Sequence, residues 1–277
     1  TLGLAATPAP ALGVSVKVES LLSAFSSLLQ TEMAFYVRRT ADAFELRALP
    51  GGRVSDDAFL SGRDIPLTSV PIDVTTALTT FVDGMLGSES DAVAVVVATG
   101  GVAGERMGRF KEAVMRSSVG AYRWLAKWYQ SLVDGREWGD EPDPEQLYRN
   151  VTFLCAVTND TCYFSDVVLA DLESKYPASS EAASDAFALL RAELSCVALA
   201  AIKKLANLIF TDVASLLTTA AYASPSRGEA TLVPAVRGLR ADLSEGLRAV
   251  LEPFFYERLL SVVADMAVSA VFNVLRD

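Results

Sequence analysis

The sequence predicts an all-α protein built as an elongated rod of stacked antiparallel helical bundles. Apolar residues recur at intervals of three and four along most of the chain, the spacing that places them on one side of an α-helix. No stretch of convincing length alternates between apolar and polar residues in the way a half-buried strand does. Helices of about 20 to 40 residues are longer than a compact domain is wide, at about 1.5 Å per residue, so we expect long bundles.

The first helices are predicted from this spacing and from the residues that stop it. One helix covers residues 16–49 and ends at Pro50, and a loop over residues 51–71 follows it. Asp73 caps the next helix, which Gly87 ends. The valine-rich run 92–98 suits a strand by composition, but because its surroundings are helical we interpret it as a buried helix start or an irregular segment. Residues 105–133 form the clearest amphipathic helix.

An acidic loop rich in Gly and Pro, residues 134–145, is the best candidate for a linker. We therefore predict two helical bundles, residues 1–140 and residues 141–277. Trp138 in this loop is a candidate contact residue for a protein partner, although it could instead fold back on the bundle.

The second half begins with a long helix over residues 147–176, which Pro177 ends. A longer helix is predicted over residues 181–221, and a loop over residues 224–234 follows it. A further helix starts near Val236, and Pro253 breaks or kinks it before helical spacing resumes.

Four polar residues interrupt the apolar run in the middle of the 147–176 helix: Thr158, Asn159, Asp160 and Thr161. Their short side chains compete for backbone hydrogen bonds and are poor helix formers, so other groups must satisfy them. We interpret Asn159 and Asp160 as a structural polar notch that fixes the register of neighbouring helices. The alternative is a notch that binds a partner or a cofactor.

Composition excludes several classes of enzyme. The chain has 277 residues, 51% of them hydrophobic, no histidine and a formal net charge of −10. Without an imidazole, Ser-His-Asp and Cys-His catalysis and histidine-ligated zinc are excluded. The negative charge argues against nucleic acid as a partner. We predict no catalytic residue, no cofactor-binding residue and no metal ligand.

The cysteines and the hydropathy of the chain indicate the kind of cellular compartment in which it works. We interpret Cys155, Cys162 and Cys196 as buried free thiols in a reducing compartment. The longest unbroken apolar run, residues 92–98, is far shorter than the ~20 residues of a spanning helix. We therefore expect no transmembrane helix. Because the chain begins without Met and stops on a helical pattern, we also expect it to be a fragment of a longer protein.

Basic residues concentrate on the predicted 105–133 helix of this acidic chain. Arg109, Arg116 and Arg123 are spaced by seven and stack along one face, and Lys127 extends the row. This row, the basic stripe, is either a solvated face whose charges meet acidic neighbours such as Glu112, or a docking surface. A docking surface would take an acidic helix or anionic lipid headgroups.

A resemblance to a known family starts at YRNVTFLCAVTNDTCYFSDVVLADLESKY, an apolar helix with an Asn near its centre. This segment resembles the C-terminal region of the Sec-six-type subunit (component three) of the exocyst, a vesicle-tethering complex. That family usually shows two adjacent Asn residues where this chain has Asn159 followed by Asp160. The chain from IFTDVASLLTT to AVFNVLRD is similar to the family in helix lengths and break positions, so the resemblance covers about residues 105–277.

The resemblance implies a non-catalytic scaffold that acts in exocytosis through protein–protein contacts. It implies, as partners, other exocyst subunits, membrane-fusion (SNARE) proteins, small GTPases and an anionic lipid surface, without a cofactor. The location it implies is cytoplasmic, peripheral at plasma membrane sites of secretion. An unrelated α-helical adaptor or solenoid, an all-α lipid-binding protein and an all-α enzyme stay open as alternatives, although the chain shows no repeat of the roughly 30–45 residues of a solenoid.

Overall fold

The computed structural model describes residues 67–86, 103–135, 144–175, 181–217 and 225–276, together with scattered helical residues between positions 20 and 39. Within these residues the chain is helical apart from a few positions at helix ends, and none lies in a strand. The predicted all-α class is therefore confirmed. The run 92–98, most of the 51–71 and 134–145 loops, and Trp138 lie outside the described residues.

The α-helices are α1 (Val70–Leu86), α2 (Ala103–Gly135), α3 (Pro144–Tyr163), α4 (Leu169–Lys175), α5 (Glu181–Leu216), α6 (Pro225–Ala241), α7 (Arg248–Val250) and α8 (Pro253–Arg276). Two of the described segments have the wider π-helical turn. Segment π1 (Phe164–Val168) joins α3 to α4, and π2 (Asp242–Leu247) joins α6 to α7.

The helices predicted over residues 105–133, 147–176 and 181–221 are present as α2, as α3 with π1 and α4, and as α5. Leu251 adopts an extended conformation (φ −96°, ψ 146°) and α8 begins at Pro253, so the predicted break is also confirmed. The predicted loop over residues 224–234 is wrong, because α6 begins at Pro225 and contains Pro234. Pro225 stands at the start of the helix, where its missing N–H is not needed, and Pro234 is exposed, so water can bond the carbonyl that loses its donor.

Helix α5 is at the centre of the described structure, and α2, α3, α6 and α8 all pack against it. Ala198, Ala201 and Ala206 of α5 are fully buried. Small side chains at a contact let the axes of neighbouring helices approach closely. This explains how one helix accommodates so many neighbours.

Buried apolar side chains of α1 to α5 and of α8 form one continuous cluster. It includes Val74 of α1, Tyr129 of α2, Leu154 of α3, Leu205 of α5 and Leu259 of α8. Residues before and after position 140 therefore share a core. The division into bundles 1–140 and 141–277 stays a prediction, since most of the intervening loop lies outside the described residues.

Among the described residues, two helices are long and apolar enough to cross a membrane, judged by length and composition alone. The segments Ser184–Leu216 and Pro253–Arg276 both reach a mean hydropathy of 1.6. The high hydropathy of α5 is that of a core helix, because 44% of its most apolar window is buried. In α8 only 11% of the corresponding window is buried. Both helices escape a search for unbroken apolar runs, because polar residues such as Lys203, Lys204 and Asp265 interrupt them. The expectation of no transmembrane helix stays a prediction.

Candidate functional site

The four residues of the predicted polar notch lie in the last turns of α3, immediately before π1. All four side chains are buried. Thr158 Oγ1 donates to the carbonyl of Leu154 at 2.8 Å, and Thr161 Oγ1 donates to the carbonyl of Thr158 at 2.7 Å. The two threonines are therefore satisfied by their own helix. Asn159 and Asp160 instead bond groups elsewhere in the chain.

Asn159 bonds the break between α7 and α8. Its Nδ2 donates to the carbonyl of Val250 at 2.8 Å, and its Oδ1 accepts the N–H of Glu252 at 3.2 Å. The extended Leu251 between these residues interrupts the helical ladder, so both backbone groups need partners from outside. A carboxamide has an N–H donor beside a carbonyl acceptor, as a peptide group does. The Asn159 side chain therefore takes the place of the helical partners that Val250 and Glu252 lack.

Asp160 bonds the start of α1 and the C-terminal part of α2. Its Oδ1 accepts the N–H of Thr68 at 2.9 Å, and its Oδ2 accepts the hydroxyl of Tyr129 at 2.8 Å and that of Thr68. Thr68 Oγ1 in turn accepts the N–H of Val70, the first residue of α1. The carboxylate therefore satisfies donors at a helix N-terminus, where the helix dipole favours negative charge.

The buried environment of Asp160 shifts the pKa of its carboxyl group. Burial raises the pKa of this carboxyl from 3.8 to about 7, although the hydrogen bonds from Thr68 and Tyr129 act in the opposite direction. Burial and the nearby charge of Asp160 also raise the pKa of Tyr129 well above 10. The cluster of Thr68, Tyr129 and Asp160 therefore contains one group that changes charge near neutral pH.

Asn159 and Asp160 are neighbours in sequence but bond regions far apart in the chain. Asp160 bonds a residue 92 positions before it, and Asn159 bonds residues 91 and 93 positions after it. The hydrogen bonds of both side chains run to other parts of the same chain. This geometry fits the interpretation of a structural notch, and the stability lost on its removal stays a prediction.

The basic stripe lies on α2, and its members Arg116 and Arg123 pair with carboxylates. Arg123 makes a two-pronged contact with Glu193 of α5, with Nε to Oε2 at 2.9 Å and Nη2 to Oε1 at 2.6 Å. Arg116 pairs with Glu112 one turn earlier at 2.5 Å. Arg109 and Lys127 are exposed. Because Arg123 faces α5, the stripe does not present all of its charge outward, and its role in partner binding stays a prediction.

Exposed apolar side chains are concentrated on α8, which sequence reasoning did not single out. The side chains of Val268, Phe272 and Leu275 are 55%, 67% and 72% exposed, while Leu259 on the opposite side is fully buried against the core. The signal was present in the sequence, because this helix is apolar on nearly all sides. Such a helix is normally covered on all sides, so its exposed side is a candidate contact surface.

The cysteines differ from the sequence interpretation at one position. Cys155 and Cys162 are buried free thiols, but Cys196 is an exposed free thiol, since it lies on the side of α5 that faces away from the core. Burial raises the pKa of Cys155 to about 12, which keeps this thiol protonated and unreactive. Among the described residues, no group of three or more acidic or cysteine side chains could hold a metal ion.

Comparison of the chain with protein-family models, with characterised proteins and with solved structures finds no match. The resemblance to the exocyst subunit therefore depends on the quoted sequence segments alone.

Proposed function

We propose that this chain is a non-catalytic helical scaffold of an exocyst-like vesicle-tethering complex, acting in exocytosis through helix packing with sister subunits. The observation that carries the proposal is the exposed apolar side of α8. Leu260, Val268, Val271, Phe272 and Leu275 are all exposed on a helix whose other side is part of the core. A second helix packed there would bury these side chains, at roughly 25 cal/mol for each Å² of apolar surface removed from water.

The partner we propose for this surface is an amphipathic helix of another protein subunit. Asp265 lies among the exposed residues near the middle of α8, and a carboxylate at the centre of a bilayer would cost about 2.5–3.5 kcal/mol. Spanning a membrane would also require Phe255, Leu259 and Val263 to leave the core. A protein partner can cover the exposed side without that loss, and a basic residue beside its apolar stripe could pair with Asp265.

We further propose that the chain forms part of an elongated rod of stacked antiparallel bundles. The lengths of α2 and α5, 33 and 36 residues, support this proposal. At 1.5 Å per residue they extend about 50 and 54 Å, more than the width of a small domain. In such a rod α8 contacts the next helical element, and the location is cytoplasmic, peripheral at plasma membrane sites of secretion.

The test is affinity purification of the tagged chain from cells that express it, followed by identification of co-purifying proteins. The parent chain is expected to recover other exocyst subunits. The variant Val268→Ser/Phe272→Ser/Leu275→Ser is expected to lose them while keeping its helicity and melting temperature, because the three side chains are exposed. Depletion of the chain is expected to leave secretory vesicles accumulated beneath the plasma membrane.

A matched control removes the same kind of side chain elsewhere: Ile72→Ser/Leu189→Ser/Val236→Ser, at positions 40%, 48% and 46% exposed. This control is expected to recover the same subunits as the parent chain. Recovery of no tethering subunit by the parent chain, or equal losses from both variants, would contradict the proposal. If the α8 variant instead lost flotation with liposomes and kept every protein partner, α8 would be a membrane contact.

A further inference from the structure

The exposed side of α8 carries a regular apolar seam in its C-terminal half. The seam consists of Ala264, Val268, Val271 and Leu275, which are spaced by four, three and four residues. This is the spacing of the positions through which two helices pack side by side in a coiled coil. All four side chains are exposed, and the exposed Phe272 lies beside them. The seam therefore has the pattern of a surface that packs against one further helix.

Two opposite charges flank this seam on the same side. Asp265 and Arg276 lie only about 20° apart around the axis of α8, because the 11 residues between them make close to three full turns at about 3.6 residues each. Both side chains are exposed. Neither has an oppositely charged residue three or four positions away on α8, where a partner on the same helix would lie. A charged partner for either residue therefore has to come from another helix.

The α8 of a second copy has the features that such a helix needs. In an antiparallel pair of identical helices a two-fold axis brings the same flank of each helix together, so the carboxylate of one copy meets the flank that carries the guanidinium of the other. The register that seats Val268 of each copy opposite Val271 of the other pairs apolar residues along the whole seam. In this register Asp265 lies two residues, about 3 Å, from Arg276 of the second copy along the helix axis. Two such charge pairs form, one at each end of the contact.

The charges and the position of the core both favour the antiparallel arrangement. In a parallel pair the charged flank of each copy would face the opposite flank of its neighbour, where the uncharged Ala267 and Val274 lie, and neither charge would be paired. The antiparallel pair also separates the two cores. The residues that hold α8 to the core, Phe255, Leu259 and Val263, all precede the seam, so they lie at opposite ends of the contact in the two copies.

We propose that the seam of α8 packs antiparallel against the same seam of a second copy of this chain, with Asp265 of each copy paired with Arg276 of the other. The inference rests on the proposed function in one respect, because the two copies cover the α8 surface that a sister subunit takes in the tethering complex. The dimer is the form of the chain that has not joined a complex. A contact between two half-helices is smaller than the standard interface of about 1,600 Å², so we expect a dissociation constant of roughly 1–100 µM, weak enough for a sister subunit to displace the second copy.

The test is sedimentation velocity of the purified chain over concentrations that bracket this dissociation constant. The parent chain is expected to pass from monomer to dimer and no further, because a two-fold contact closes on itself. Asp265→Arg is expected to weaken the dimer about tenfold or more, since two attractive pairs become two repulsive ones, and Arg276→Asp should have the same effect. The double variant Asp265→Arg/Arg276→Asp is expected to regain the dimer, because both pairs are restored with their charges exchanged. That rescue separates a direct pair from a general effect of charge.

A matched control, Asp242→Arg, makes the same change of charge at an exposed position outside α8 and is expected to change the dissociation constant less than twofold. A parent chain that stays monomeric would overturn the proposal and leave the tethering function standing, since that function is tested by recovery of exocyst subunits. Equal weakening by Asp265→Arg and Asp242→Arg, or a double variant that stays monomeric, would overturn it as well. A monomer that floats with liposomes through α8 would make the surface a lipid contact and would likewise overturn it. A dimer in a chain that recovers no tethering subunit would contradict the proposed function alone.

Discussion

The substitution Asp160→Asn is expected to remove the part of the pH dependence of folding stability that comes from the Asp160 carboxyl. Asp160 is fully buried and bonded by Thr68 and Tyr129. An amide at this position keeps the carbonyl that accepts the Thr68 N–H, and its NH₂ group can donate to the Tyr129 hydroxyl, which then accepts. The variant preserves the shape of the cluster and cannot titrate. Any difference in pH dependence from the parent chain therefore reports the Asp160 carboxyl.

The direction of the pKa shift determines whether stability rises or falls with pH. Burial raises the pKa of Asp160 from 3.8 to about 7, so between these values the folded chain holds a proton that the unfolded chain has released. The stability from Asp160 is therefore fully present below about pH 4 and is lost as the pH rises toward 7. At 1.36 kcal/mol per unit of pKa, the whole change corresponds to about 4 kcal/mol.

The assay is urea unfolding of both proteins by far-UV circular dichroism at intervals from about pH 4 to about pH 8. Other titrating groups are shared by the two proteins, so their contributions cancel in the difference between the unfolding free energies. The unfolding free energy of the parent chain is expected to fall by about 4 kcal/mol relative to that of the variant across this range. Above this range no further fall is expected. Parallel curves for the two proteins would refute the reasoning and would mean that the carboxyl stays charged throughout.

Further predictions concern the hydrogen bonds and the domain organisation. Asn159→Leu leaves two backbone groups at the break before α8 without partners and is expected to lower the unfolding free energy by roughly 1–3 kcal/mol; an unchanged melting temperature would contradict this. Arg123→Glu is expected to cost about 0.5–1 kcal/mol by placing two carboxylates together, and adding Glu193→Arg should restore it in a double-mutant cycle. Limited proteolysis is expected to cut first within residues 134–145 or residues 51–71. The fragments on the two sides of residues 134–145 should elute together on gel filtration because they share a core, and early cleavage within α5 would contradict the architecture.

The helices were predictable because their apolar spacing is long and regular. Residues 105–133 and 181–221 carry that spacing far enough for α2 and α5 to be identified from the sequence, and Pro253 identified the break before α8. Pro234 misled the prediction because a proline ends a helix by removing one N–H, and an exposed helix can tolerate that loss. The local sequence pattern therefore sufficed for the helices whose apolar spacing is long and regular.

The partners of the polar residues were not predictable from the sequence. A polar pair inside an apolar helix shows that some group must bond it, but Thr68 and Val250 lie about 90 positions away, beyond the reach of helical spacing. Glu193 as the partner of Arg123 depends in the same way on which helices pack together.

The adjacent residues Asn159 and Asp160 acquire their partners at different times during synthesis. When Asp160 leaves the ribosome, Thr68 has already been made, 92 residues earlier, and can bond it as soon as α1 and α3 meet. Asn159 has to wait for Glu252, 93 residues later. At about 5–20 residues per second this delay is about 5–20 s. During that interval the backbone groups of the α7–α8 break do not yet exist, and the surface of α3 that later contacts this break cannot close.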